Sequence, residues 1–172
     1  ATQVAQRTSE IQATQQQLRA TIDAIPDPLF EIDQDGRYCS VHSPRAELLM
    51  GPAEQLIGRN VTEVLPALAA LTVMDVLNEA QSQGWSTGRQ IMLDLPGLGP
   101  TWFELSAARK AGSAGGKPRF IVLSRDISER KRSQEQLQLT AQVFDQSGEA
   151  IVIADAAQTI VRINRAFSRI TG

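Results

Sequence analysis

The chain has 172 residues, with 17 Lys and Arg against 19 Asp and Glu, for a formal net charge of −2. That length suits one domain with some chain to spare, and the near-neutral balance excludes the concentrated basic face that nucleic-acid phosphates require. One cysteine, Cys39, excludes an internal disulfide framework, and one histidine, His42, excludes a multi-histidine metal centre.

Residues 1–25 hold no Gly or Pro and are rich in Gln, Thr and Ala. Val4, Ile11, Leu18 and Ile25 recur every seven residues, with Thr8, Gln15 and Ile22 between them. An apolar stripe at this period predicts a coiled-coil-type helix made to pair with another; its polar middle leaves a merely solvated helix as the other reading. Pro26 stops it, because the residue before a proline is pushed out of the helical region.

Pro28 to Asp33 (PLFEID) reads as a strand, Gln34-Asp35-Gly36 as a hairpin turn, and Arg37 to His42 (RYCSVH) as the returning strand. Short helical pieces follow: Pro44 to Met50 before Gly51, Ala53 to Ile57 before Gly58, and Val61 to Leu65 capped by Asn60. Pro66 opens a longer helix ending at Gln83 and Gly84, with Leu68, Leu71, Val73, Met74, Val76, Leu77 and Ala80 as its apolar face. Three strands come next: Thr87 to Leu95, Thr101 to Lys110 across the tight PGLGP connection, and Arg119 to Arg125 after the loose AGSAGGKP loop. This order predicts an α+β fold, a five-stranded antiparallel sheet with helices on one face.

SERKRSQEQLQLTAQVF then reads as a second Gln-rich helix capped by Asp126 or Ser128, with Ile127, Leu137, Ala141 and Phe144 on a seam of its own. Beyond it the chain repeats itself. AIVIAD (Ala150 to Asp155) matches PLFEID and TIVRIN (Thr159 to Asn164) matches RYCSVH, at a constant offset of 122 residues. AFSRITG, Ala166 to Gly172, matches the first short helix and its glycine. The expected organisation is therefore an N-terminal amphipathic helix (1–25), one complete domain (26–127), a linker helix (128–146) and the start of a second copy (147–172). Without the rest of their core, the last strands are expected to be disordered, to pair with a neighbouring copy or to aggregate.

No catalytic set is in sight. Glu31 and Asp33 share a strand face but precede a turn and read as surface carboxylates, and neither a Ser-His-Asp nor a Cys-His arrangement can be assembled, so no enzyme activity is expected. AGSAGGKP lacks the spacing of a phosphate loop, and SERKRSQE reads as a solvated helix face. No apolar run approaches the roughly 18 residues of a membrane span, and no secretory leader opens the sequence; the expected location is cytoplasmic.

The opening PLFEIDQDGRYCSVHS, GRNVTEVLP at Gly58 to Pro66, TWFELSA at Thr101 to Ala107 and the junction RDISERK at Arg125 to Lys131 resemble, in that order and spacing, the PAS (Per-Arnt-Sim) sensor family. SGEAIVIADAAQTIVRINRAFSRITG is similar to the start of another PAS domain. The resemblance implies a regulatory module of a multidomain signal-transduction protein, in which an apolar cavity between sheet and long helix takes a small molecule or reports redox state. Flanking helices then form a homodimer and carry the signal to an output domain on the same polypeptide, a two-component histidine kinase or an enzyme of cyclic di-GMP signalling. The other reading is a ligand-free dimerisation or interaction module whose cavity residues pack as solid core.

By strand alternation the cavity-facing set is Phe30, Ile32, Val41, Ile91, Leu93, Phe103, Leu105, Val122 and Ser124, joined by Leu71, Met74 and Leu77 from the long helix. The cofactor is left unnamed. The flavin-adduct cysteine of light-sensing relatives is replaced by Val61 after Gly58-Arg59-Asn60, and no histidine lies on the long helix to hold haem. A non-covalent flavin is also disfavoured, because Trp102 is expected to face away from the cavity. No cofactor and no metal are expected. Cys39 reads as a small buried hydrophobe, and His42 as a strand-end polar residue bonding loop backbone. Glu104 and Ser106 fall on the outer sheet face, where the N-terminal helix is expected to pack.

Overall fold

The computed structural model describes residues 2–111 and 116–172, which form two compact units, Ala1–Ile127 and Ser128–Gly172. The AGSAGGKP loop therefore falls partly outside the described residues, as does the side chain of Val4.

In the first unit, helix α1 (Thr2–Asp23) stops short of Pro26, and its apolar stripe is only partly covered, with Ile11 and Leu18 exposed and Ile22 half-buried. Strands β1 (Leu29–Asp33) and β2 (Tyr38–His42) form the hairpin. Its turn is built by one side chain: Asp33 Oδ1 accepts the backbone N–H groups of Asp35 and Arg37 at 3.0 and 2.9 Å. Gly36 takes the left-handed conformation, φ 85°, that closes it. A turn at Ala46–Leu48 and two one-turn helices follow, α2 (Ala53–Leu56) and α3 (Val61–Val64). Asn60 caps α3 in a reciprocal box with Glu63.

Helix α4 (Ala67–Gln83) begins after Pro66 and ends on left-handed Gly84, whose N–H returns to the carbonyl of Ala80. Strands β3 (Trp85–Leu95), β4 (Gly99–Arg109) and β5 (Arg119–Asp126) complete an antiparallel sheet in the order β2-β1-β5-β4-β3. Strand β3 starts two residues earlier than the sequence suggests. Gly88, at φ 81°, makes a bulge between Thr87 and Arg89, and pairing continues through it to Trp85. Strict alternation along β3 to β5 sends Ile91, Leu93, Phe103, Leu105, Phe120 and Val122 to one buried face, against which Ala70, Val73, Leu77 and Ala80 of α4 form the other half of the core.

The second unit opens with α5 (Ser128–Gln146) and continues through β6 (Val152–Ala154), β7 (Ile160–Ile163) and α6 (Arg165–Thr171). Its strands pair with each other as an antiparallel hairpin. The turn is held locally: Asp155 Oδ1 accepts the N–H groups of Ala157 and Thr159 at 2.9 Å each, as Asp33 accepts two turn N–H groups in the first unit. No helix among the described residues is long and apolar enough to cross a membrane.

Candidate functional site

The inner sheet face leaves a cavity of about 40 Å³. Its sheet wall is formed by Phe30, Ile32, Ile91, Leu93, Phe103, Leu105, Val122 and Ser124, all of them expected from alternation. Its roof is not the one expected. The long helix contributes Val73 alone, and the remainder comes from the short pieces after β2: Leu48, Leu49, Met50, Leu56, Val64 and Leu65.

Four expected positions lie elsewhere. Leu71 is 64% exposed; at 100° per residue it sits about 200° around the helix from Val73, on the solvent side. Leu77 lies one turn beyond Val73 and is consumed by packing in the core. Met74 is half-buried beside the β1–β2 turn, where a Cβ on Gly36 would come within 2.7 Å of its sulfur. Val41 pairs with Phe30 on the edge strand and packs partly on the core, without lining the cavity.

Tyr38 is the sheet residue lining the cavity that alternation missed. Ile32 pairs with Tyr38 while Glu31 pairs with Ser40, so Cys39 is an extra residue in β2, a bulge that turns both Tyr38 and Val41 inward. Cys39 is thus half-buried at a bulge, and desolvation pushes its thiol upward. Tyr38 packs against Phe30 with ring centroids 5.6 Å apart, and burial pushes its phenol up to about 12. Tyr38 and Ser124 supply the hydroxyl groups of an otherwise apolar wall.

The outer face is organised by charge. Glu31, its side chain 13% exposed, accepts from Arg119 at 2.9 Å and Lys110 at 3.0 Å. Burial by itself would raise its carboxyl, but these two cations outweigh that and hold it below the usual carboxylate range. Asp27 pairs with Arg125 at 3.3 Å and Asp35 with Lys117. Trp102 pairs with Met92 across this face and is not a cavity residue. The C-terminal half of α1 does approach the outer face, but over β1, β2 and β5: Leu18 and Ile22 line one groove with Leu29 and Ile121. The expected seat at Glu104 and Ser106 on β4 is not part of it. His42 makes no bond to loop backbone; it faces Asp23 instead. Among the described residues no three His, Cys, Asp or Glu side chains converge as metal ligands would.

A five-stranded antiparallel sheet, closed on one face by short helices around an apolar cavity, defines a PAS-type α+β domain. The family model described as PAS fold matches residues 22–132, and a second, described as PAS domain, matches residues 138–172. The chain belongs to the PAS sensor family, with one full domain and the opening segment of another. It is similar in fold to the PAS domain of an HTR-like protein from Haloarcula marismortui, at 23% identity and TM-score 0.50, covering 72% of this chain and 99% of that one. A PAS domain from Colwellia psychrerythraea is similar at 21% identity and TM-score 0.53, covering 67% and 98%. The Vibrio cholerae VqmA dimer is similar at 17% identity and TM-score 0.55, covering 66% and 53%. No curated protein matches the chain.

Proposed function

We propose that this chain is a non-catalytic, cytoplasmic sensory segment of a multidomain signalling protein. A small, uncharged molecule seated in the inner-face cavity changes how the short helices close on the sheet. Helices α1 and α5 pair with those of a second copy and pass the change to an output domain on the same polypeptide, a histidine kinase or a cyclic di-GMP enzyme.

The observation that carries this reading is the cavity, whose wall of apolar side chains includes the hydroxyl-bearing Tyr38 and Ser124. A charged ligand would find no counter-ion in that lining, whereas a weakly polar one could use both hydroxyls. VqmA, similar in fold, has been solved bound to DPO, which is consistent with a small-molecule role for such a cavity. The size of the cavity favours a second reading. At roughly 10–15 Å³ per water, about 40 Å³ holds on the order of three waters, so a ligand-free dimerisation module with a nearly solid core is the competitor.

Native mass spectrometry of gently purified protein separates the two. A dimer with added mass, lost when Ser124→Val and Tyr38→Phe remove the hydroxyls, supports the sensor. A dimer at the bare chain mass supports the ligand-free module, and a strict monomer at every concentration overturns the pairing of helices in both.

A further inference from the structure

The end of α1 meets the end of β2 through one imidazole. His42 closes β2 opposite Leu29, and its Nε2 lies 3.5 Å from Oδ1 of Asp23, the last residue of α1. That nitrogen is buried and has no hydrogen-bond partner among the described residues, so the carboxylate stands within ion-pair reach but outside hydrogen-bond geometry. A buried polar atom left unpaired is costly in the neutral ring. In the protonated ring the same atom carries a hydrogen and shares a positive charge 3.5 Å from a carboxylate oxygen.

The second unit shows what this position does with a side chain that cannot titrate. Asn164 stands 122 residues after His42. Its Oδ1 accepts the N–H groups of Ile151 and Phe167 at 2.9 and 3.0 Å, and its Nδ2 donates to the carbonyls of Phe144 and Glu149 at 3.0 and 2.8 Å. One amide therefore ties the preceding helix, the start of the hairpin and the following helix at any pH. His42 makes none of these bonds.

We propose that His42 and Asp23 form a proton-operated latch between α1 and the sheet. Histidine is the side chain that ordinarily changes charge between about pH 5 and 8. On acidification the imidazolium draws Asp23, and with it the last turn of α1, onto the end of β2; as pH rises the charge is lost and the turn is released. The other charged groups facing this groove are Arg19 on α1, Glu31 on β1 and Lys110 after β4. Glu31 and Lys110 are already paired with each other, and Arg19 opposes the imidazolium, which leaves Asp23 as its attractive partner. The input is a proton at the helix–sheet junction, independent of any molecule in the cavity.

The test is an NMR titration of the full chain from about pH 8 to 5, in which the single histidine supplies one unambiguous ring signal. The N–H groups of Ala24 and Ile25 donate to the carbonyls of Ala20 and Ile22 at 3.1 and 3.0 Å. Their chemical shifts should follow the His42 ring with the same midpoint. Their exchange protection, corrected for the intrinsic pH dependence, should rise about two- to fivefold as the ring protonates, the size expected of a partly exposed charge pair. Asp23→Asn should leave the ring titrating but uncouple these amides, and His42→Asn, the residue found at position 164, should make them flat. The latch is overturned if the amides stay fixed while the wild-type ring titrates, or if they still titrate in His42→Asn; the wild-type titration decides even if a variant fails to fold.

Discussion

The β1–β2 hairpin and the β6–β7 hairpin share a backbone plan at the offset of 122 residues but differ in what surrounds them. In both, one aspartate oxygen accepts two turn N–H groups. In both, one residue of the returning strand is bulged: Cys39 in the first and Val161 in the second, since Ile153 pairs with Arg162 and Ala154 with Ile160. Yet Ile32 and Tyr38 are buried, while Val152, Ile153, Ile160 and Ile163 are exposed. The path of the hairpin is therefore encoded by short-range side-chain-to-backbone bonds, and the core that covers one copy adds stability rather than shape.

That division is broken most forcefully at Phe103, which is fully buried on the inner sheet face of the first unit. Phe103→Ala should cost about 3–5 kcal/mol by lost burial and the cavity left behind, read as a fall in the denaturant midpoint of the first unit. The amide shifts of Ala157 and Thr159 should not move. If the second turn melts with Phe103→Ala, its plan is not local.

Tyr38 sharpens the contrast next, because its counterpart Ile160 is exposed. Burial raises the phenol from about 10 to about 12, so the neutral form is the one the fold prefers. Its contribution is complete below pH 10 and is lost as pH rises from 10 through 12, a loss of about 2–3 kcal/mol at about 1.4 kcal/mol per unit. Tyr38 is the single tyrosine, so tyrosinate absorbance reports it directly. A phenol titrating near 10 in the folded protein would place the ring in solvent.

The turn glycine comes third. Gly36 is left-handed and crowded, with Met74, Val61 and Asn60 all within reach of an added Cβ, whereas Gln158 holds the equivalent left-handed position, φ 64°, at an exposed site. Gly36→Ala should cost about 2 kcal/mol, roughly half from the left-handed backbone. Gln158→Gly should instead steady the second hairpin by about 0.5–1 kcal/mol, measured as increased amide protection of Thr159.

The same contrast accounts for what the sequence could disclose. Boundaries were legible because the residues that stop elements act locally: Pro26 ends α1, Asn60 with Glu63 starts α3, and Gly84 ends α4. The sheet wall of the cavity was legible because a period of two leaves a strand residue only two faces. The roof was not, since Leu48, Leu49, Leu56 and Val64 lie in pieces too short to show any period. Nor was Tyr38, because the bulge at Cys39 shifts the alternation by one and nothing in RYCSVH marks it. Leu71 misled because α4 is apolar around most of its circumference, and only packing against β3 and β4 selects the face that is buried.

The smallest expected effect concerns Glu31, whose counterpart in the second hairpin is the exposed Ile153. Its carboxylate is charged, little exposed and shared by Arg119 and Lys110, which joins β1 to β5 and to the end of β4. A carboxyl held low in the folded state supports folding above the ordinary value of 4.5, and that support fades as pH falls through the folded value. Glu31→Gln should therefore cost about 1 kcal/mol at neutral pH and progressively less as the wild type is acidified below pH 4.5, the two denaturation midpoints converging. Paired charges on an outer face add little compared with Phe103 underneath it, but the Glu31 cluster gives the first hairpin a contribution that depends on acid where the second has isoleucine. A Glu31→Gln variant whose deficit stayed constant down to low pH would assign the contribution of Glu31 to shape and hydrogen bonding rather than to charge.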